Sequence, residues 1–165
     1  RKQSPPALFR RIIESLPPGT RVVMTGVERD LEINGDYRPL LEMPGVEFGG
    51  DMLFDSSGFN DLFALLRAAK LVISVDTALM HLAVTVGAPT LCLASAAGVG
   101  DIVPYDPAIT PDNARFVYHS MPCEGCLGEC IFPAEDGMFP CVARLDQGQI
   151  IASVGEMMAA QSPAH

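Results

Sequence analysis

The chain has 165 residues, 48% of them apolar, five cysteines and a formal net charge of −9. That is enough for one domain with a substantial core and too apolar for a disordered chain. The acidic balance excludes a broad nucleic-acid surface, which needs clustered Lys and Arg.

No run of about 18 apolar residues occurs, so no membrane span is expected. The opening RKQSPPALF lacks both an initiator Met and the long apolar segment of a signal peptide. These features predict a fragment or processed product at a cytoplasmic location. After this polar lead-in, Pro6 suits a first helical turn. Leu8, Ile12 and Leu16 then repeat at four-residue spacing, with Phe9 and Ile13 widening the face, up to a stop at Pro17-Pro18-Gly19. Arg21–Val27 reads as a buried strand with Glu28 and Asp30 at its carboxyl end. The polar stretch that follows predicts a short helix, broken around Asn34-Gly35 and near Pro44-Gly45. One weak strand is expected within Val46–Phe54, centred on Met52–Phe54. Asn60 is the expected cap of a helix through Ala69, with Leu62, Leu65, Leu66 and Ala69 on its apolar face.

The most patterned stretch is LVISVDTALMHLAVTVGAPTLCL, residues 71–93. Leu71–Val75 is a near-continuous apolar run rich in β-branched residues, as in a strand buried on both faces. Asp76 stands where a helix N-cap belongs. Leu79, Leu82, Ala83 and Val86 form a helical stripe, with Thr77, His81 and Thr85 on the other side. Gly87 and Pro89 end the helix, and Thr90–Leu93 reads as the next strand. This is a βαβ unit. An irregular Gly- and Pro-containing stretch follows, then a short strand at Arg115–Tyr118. A final helix is capped by Asp146 and buries Ile150, Ile151, Val154, Met157 and Met158. Alternating strands and helices predict an α/β domain, a Rossmann-like parallel sheet flanked by helices.

Ligands of open parallel sheets bind at the carboxyl ends of strands, where the Asp76–Met80 turn falls. The unpaired N–H groups and positive dipole end of the following helix suit an anion such as a diphosphate. Asp76 is then either a cap or a ligand group, and His81 either a helix histidine bonded to a neighbour or a ligand contact. Glu28 has the placement of a ribose-binding carboxylate, against the alternative of a surface Glu. The loop Ser95–Tyr105 is small and permissive; Ser95 and Gly98 are its candidate pocket residues, against a plain surface loop.

Four cysteines follow the pattern Cys123-x2-Cys126-x3-Cys130-x10-Cys141. The first pair has the spacing of a metal knuckle, and a tetrahedral thiolate set fits Zn or Fe. Two disulfides or reduced thiols are the alternatives, and the missing secretion signal favours metal. Four protein ligands would leave no open position, so the metal is expected to be structural, with no catalytic cofactor. The segment is expected to have no buried core of its own. Cys92, in an apolar strand, reads as a small core residue.

The segment DTALMHLAVTVGAPT resembles the D-[TS]-[GA]-x-x-H-[LA]-A-x-x-x-G-x-P motif of the heptosyltransferase-like glycosyltransferases (glycosyltransferase family 9). Asp76, Thr77, Ala78, His81, Leu82, Ala83, Gly87 and Pro89 match it. The resemblance implies the C-terminal, donor-binding half of a GT-B glycosyltransferase, whose donor is ADP-heptose or a similar nucleotide-sugar. It implies N–H groups of Thr77, Ala78, Leu79 and Met80 toward phosphate and Asp76 toward the sugar. It also implies Glu28 or Asp30 on the ribose, and Lys2 or Arg1 stabilising the leaving diphosphate. The saccharide or protein acceptor would be held by an N-terminal domain absent here, leaving this single-domain chain (1–165) with little activity alone. Some members that modify proteins carry a tetracysteine iron site in a comparable position. Ala78 replaces the glycine of the best-known members, which narrows the approach to the ligand. Two rivals stand beside this reading: a non-catalytic binding or assembly module, and an epimerase acting on the free sugar nucleotide. Neither a serine-hydrolase elbow, a P-loop nor a clear G-x-G-x-x-G is present.

Overall fold

A computed structural model describes residues 2–32, 36–50 and 58–161, apart from the side chains of Asp30 and Phe59. The order is α1 (Pro6–Ser15), β1 (Val22–Thr25), a 3-10 turn, α2 (Arg38–Leu41), β2 (Val46–Gly50), α3 (Phe59–Ala68), β3 (Val72–Val75) and α4 (Ala78–Thr85). Then come β4 (Thr90–Leu93), a second 3-10 turn at Ala96–Gly98, β5 (Ala114–Val117), α5 (Pro140–Ala143) and α6 (Gln147–Ala160). The expected parallel pairing is found, divided by hydrogen bonding into two sheets, β1-β2 and β3-β4-β5. Val75 lies opposite Leu93, and Leu93 opposite Val117, so the carboxyl ends of β3, β4 and β5 are level.

β4 is the centre of its sheet and every residue in it is buried. Alternation of side chains across the strand divides the core. Leu91 and Leu93 join Leu8, Ile12, Val117, Ile150 and Val154 on the face covered by α1 and α6. Cys92 packs with Met80, Ala94 and Val103 on the α4 face. α4 therefore buries two sides rather than the single predicted stripe: Ala83, with Leu79, Leu82 and Val86 beside it, faces Leu62, Leu66 and Val72, while Met80 fills the sheet side. Truncating a side chain such as Leu91 to Ala would cost about 2–5 kcal/mol.

The predicted stop of α4 is a Schellman turn: Gly87 adopts φ +82°, Gly87 N–H donates to Val84 O, and Ala88 N–H to Ala83 O. Asn113 supports the same turn, its Nδ2 donating to Val84 O at 3.1 Å and Ala88 O at 2.8 Å. At α6 the predicted cap is present, with Asp146 Oδ1 accepting from Gln149 N–H at 2.9 Å.

Several boundaries differ from expectation. The first strand shrinks to Val22–Thr25. The second is Val46–Gly50, upstream of Met52–Phe54, which lie outside the described residues, as do Arg1 and Asn34-Gly35. α3 is preceded by Gly58, not capped by Asn60. The stretch after β4 is a surface loop only in part: Ser95 to Gly98 are buried, while Gly100 to Ile102 are exposed. The cysteine segment shares the main core rather than forming a separate one. Met121, Met138, Phe139, Cys141 and Val142 sit in the cluster under α1 and α6.

Candidate functional site

Level parallel strands bring together whatever follows them. Asp76 follows β3, and Ser95 lies two residues past β4, so the in-register ladder sets their side chains side by side. Ser95 Oγ donates to Asp76 Oδ2 at 3.0 Å. Lys2 Nζ reaches the same oxygen at 3.3 Å from the segment before α1. That segment is held by Tyr37, whose hydroxyl donates to Ser4 O. The Asp76 side chain is 2% exposed and that of Lys2 40%. Asp76 Oδ1 is buried and has no hydrogen-bond partner among the described residues. A buried carboxylate oxygen left unpaired is costly, so a donor group arriving there would be favoured.

This arrangement corrects the capping assignment. Thr77, with extended backbone (φ −134°, ψ 168°), is the N-cap of α4, without a side-chain capping bond. Its Oγ1 lies 3.2 Å from Ser74 Oγ. Thr77 and Ala78 are exposed, so the tip of the helix is open. Of the four expected phosphate donors, Met80 is removed: its N–H turns back to Thr77 O at 3.0 Å and its side chain is core. First-turn N–H groups otherwise have no partner within a helix, which leaves Thr77, Ala78 and Leu79 as candidates.

His81 lies one turn further along α4. Its Nδ1 is 2.6 Å from Tyr105 OH, and the two rings stack with centroids 5.7 Å apart. The sequence assigns Tyr105 no role; its one local signal is an aromatic at the end of the small, permissive stretch 95–105. Burial raises the Tyr105 phenol above its ordinary range, with a further push from Cys92. Cys92 itself is pushed up to about 12 by burial first and by Asp76 second, as an inert core thiol should be.

Glu28 is exposed at the start of the first 3-10 turn, near Arg38, and no described contact joins it to Asp76. The Asp30 side chain lies outside the described residues.

The cysteine segment leans on the same site. Gly125 N–H donates to Ala96 O at 3.0 Å and Leu127 N–H to Ala97 O at 2.8 Å. In return the N–H groups of Ala96 and Ala97 point at the buried Cys141 thiol and partly offset the rise that burial imposes on it. Partial burial, and then contact with Cys130 and Cys126, raises the Cys123 thiol. All five cysteines are free. Cys123 thus lies within reach of both Cys126 and Cys130, although as placed no three His, Cys, Asp or Glu side chains among the described residues enclose a metal position. No described helix is long and apolar enough to cross a membrane.

Fold and site together define a Rossmann-like α/β domain with a lysine–aspartate–serine centre at its strand ends. The chain belongs to glycosyltransferase family 9 (heptosyltransferase), whose sequence model matches residues 2–122. Among solved structures it is similar in fold to Escherichia coli ADP-heptose LPS heptosyltransferase II (TM-score 0.59, 16% identity). The similarity covers 97% of this chain and 43% of that one, so the chain spans less than half the length of its structural relative. Curated protein sequences give no match.

Proposed function

We propose that this chain is the donor-binding half of a glycosyltransferase that moves heptose or a related sugar from a nucleoside diphosphate to a saccharide or protein hydroxyl. The observation that carries this is Asp76 Oδ1, buried without a hydrogen-bond partner among the described residues, beside the open N-terminus of α4. Asp76 accepts a sugar hydroxyl there, since a carboxylate facing the diphosphate would be repelled. The N–H groups of Thr77, Ala78 and Leu79 take phosphate oxygens, helped by the helix dipole. Ser95 orients Asp76. Lys2 offsets the charge of Asp76 and of the departing diphosphate as the acceptor oxygen forms its bond to the anomeric carbon and the bond to phosphate breaks. Glu28 is assigned the ribose, on the logic of acidic groups at strand ends. The acceptor site and its base belong to a second domain, so this chain alone turns over little substrate. The Cys123, Cys126, Cys130 and Cys141 thiols are assigned one structural Zn or Fe ion. Their soft donor set fits either metal, and the Ala96 and Ala97 N–H groups stand ready to stabilise a Cys141 thiolate.

Titration calorimetry with ADP, UDP and GDP tests the donor reading. One nucleotide binds, and Asp76→Ala or His81→Ala weakens it about tenfold or more. A folded protein that binds none of them is instead an assembly module. Metal analysis of the reduced protein, with a cobalt-thiolate absorption band after Co(II) loading, tests the cysteine assignment; neither metal nor band refutes it.

A further inference from the structure

We propose that Tyr105 is a positioning residue that fixes the ring and the protonation of His81, so that His81 Nε2 carries a hydrogen for an anionic oxygen of the ligand. The inference rests on the donor-site reading above.

The two residues meet through the fold rather than through sequence proximity. His81 projects from α4, and Tyr105 lies midway along the connection between β4 and β5. The contact has two components, the 2.6 Å bond between Tyr105 OH and His81 Nδ1 and the stacking of the rings at 27°. Tyr105 is itself held. Phe116 on β5 meets it edge-on with centroids 4.9 Å apart, and Thr110 Oγ1 donates to Tyr105 O at 3.2 Å. The phenol therefore lies on the sheet side of α4 beside Met80, Cys92 and Val103.

A neutral imidazole has one N–H and one acceptor nitrogen, and its partner decides which is which. A phenol that keeps its proton donates it to Nδ1, and the imidazole hydrogen then resides on Nε2. If His81 takes up a second proton, Nδ1–H donates to the phenol oxygen and Nε2 still carries hydrogen. In both states the ring offers Nε2–H to a phosphate or sugar oxygen. Without the phenol, both neutral tautomers become accessible, and the Nδ1–H form presents a lone pair to an anion.

The test is long-range proton–nitrogen NMR of histidine-labelled protein, with His81 assigned by its loss in His81→Gln. The wild type shows the Nε2-protonated pattern. Tyr105→Phe retains the ring stack and the unfolding midpoint, while the two His81 nitrogen shifts move toward each other. Nucleotide affinity falls about 3- to 10-fold, the worth of one hydrogen bond. An Nδ1-protonated neutral His81 in the wild type, or the same tautomer in Tyr105→Phe, overturns the proposal. So does unchanged nucleotide affinity in Tyr105→Phe where His81→Gln weakens it. A wild type that binds no nucleotide but shows the Tyr105-dependent tautomer overturns the donor-site reading and leaves the hold of Tyr105 on His81 standing.

Discussion

The ion pair between Lys2 and Asp76 joins parts of the site 74 residues apart in sequence, and its strength can be bounded. At 3.3 Å the Coulomb attraction is about 1.3 kcal/mol in bulk water and about 5 kcal/mol at an effective dielectric of 20. Asp76 is withdrawn from solvent, but Lys2 is 40% exposed, which screens the pair and moves the value toward the lower bound. A coupling of about 1–2 kcal/mol is expected. The clean measurement is a double-mutant cycle of Lys2→Met and Asp76→Asn by urea unfolding. Lys2→Met leaves a desolvated carboxylate with Ser95 as its one partner among the described residues, so that single change is costly. In the Asp76→Asn background the same change is nearly free. Additive effects of the two substitutions, within about 0.3 kcal/mol, would refute the reasoning and show Lys2 to be a solvated lysine that merely lies close by.

Asn113→Ala removes both amide bonds to the end of α4 and should lower stability by about 1–2 kcal/mol, a fall of about 2–8 °C in Tm; an unchanged melt refutes the supporting role. Asp146→Ala should cost about 1 kcal/mol through loss of the α6 cap, read as an earlier urea midpoint at constant slope. Cys92, raised from 9.0 to about 12 in the folded chain, stays protonated where the unfolded chain has ionised. Its contribution is whole below pH 9 and is lost as pH rises toward 12, at up to about 1.4 kcal/mol per unit. Replacing Cys92 with Ala should flatten the alkaline decline, and an identical slope in the variant disproves this origin.

Local pattern accounts for what was legible. Residues 71–93 announce strand, helix, stop and strand because each rests on chemistry within a few positions, down to the Gly87 turn. Asp146 caps α6 for the same reason. Asp76 shows the limit. An Asp before a helix is a cap on local grounds, but here a lysine 74 residues earlier and a serine 19 residues later claim its carboxylate. With the carboxylate engaged elsewhere, Thr77 takes over the boundary. Met80 carries the same lesson, since its N–H is redirected by the tight first turn and its side chain is drawn into the sheet. Tyr105 and Asn113 have no such local pattern, because both act on α4 from the β4–β5 connection, which only the tertiary fold brings near. The alternation along β4, by contrast, was hidden by a uniformly apolar run. Only the packing of α1 and α6 on one face and α4 on the other distinguishes Leu91 from Cys92.

The family match ends at residue 122, but the hydrophobic interior does not. Met138, Phe139, Val142, Leu145, Ile150, Val154 and Met157 belong to the same cluster as Leu8, Leu91 and Val117. The hydrogen bonds that the Gly125 and Leu127 N–H groups donate to Ala96 O and Ala97 O stitch the later residues to the buried turn that follows Ser95. The recognisable portion of the chain is thus not a self-sufficient body. A polypeptide cut at Met121 would strip α5 and α6 from one side of β4, leaving α1 as its cover there, and would remove the hydrogen bonds to Ala96 and Ala97, while keeping every residue of the shared motif. Divergence in residues 123–161 is therefore free to remodel the surface, but never free to disappear.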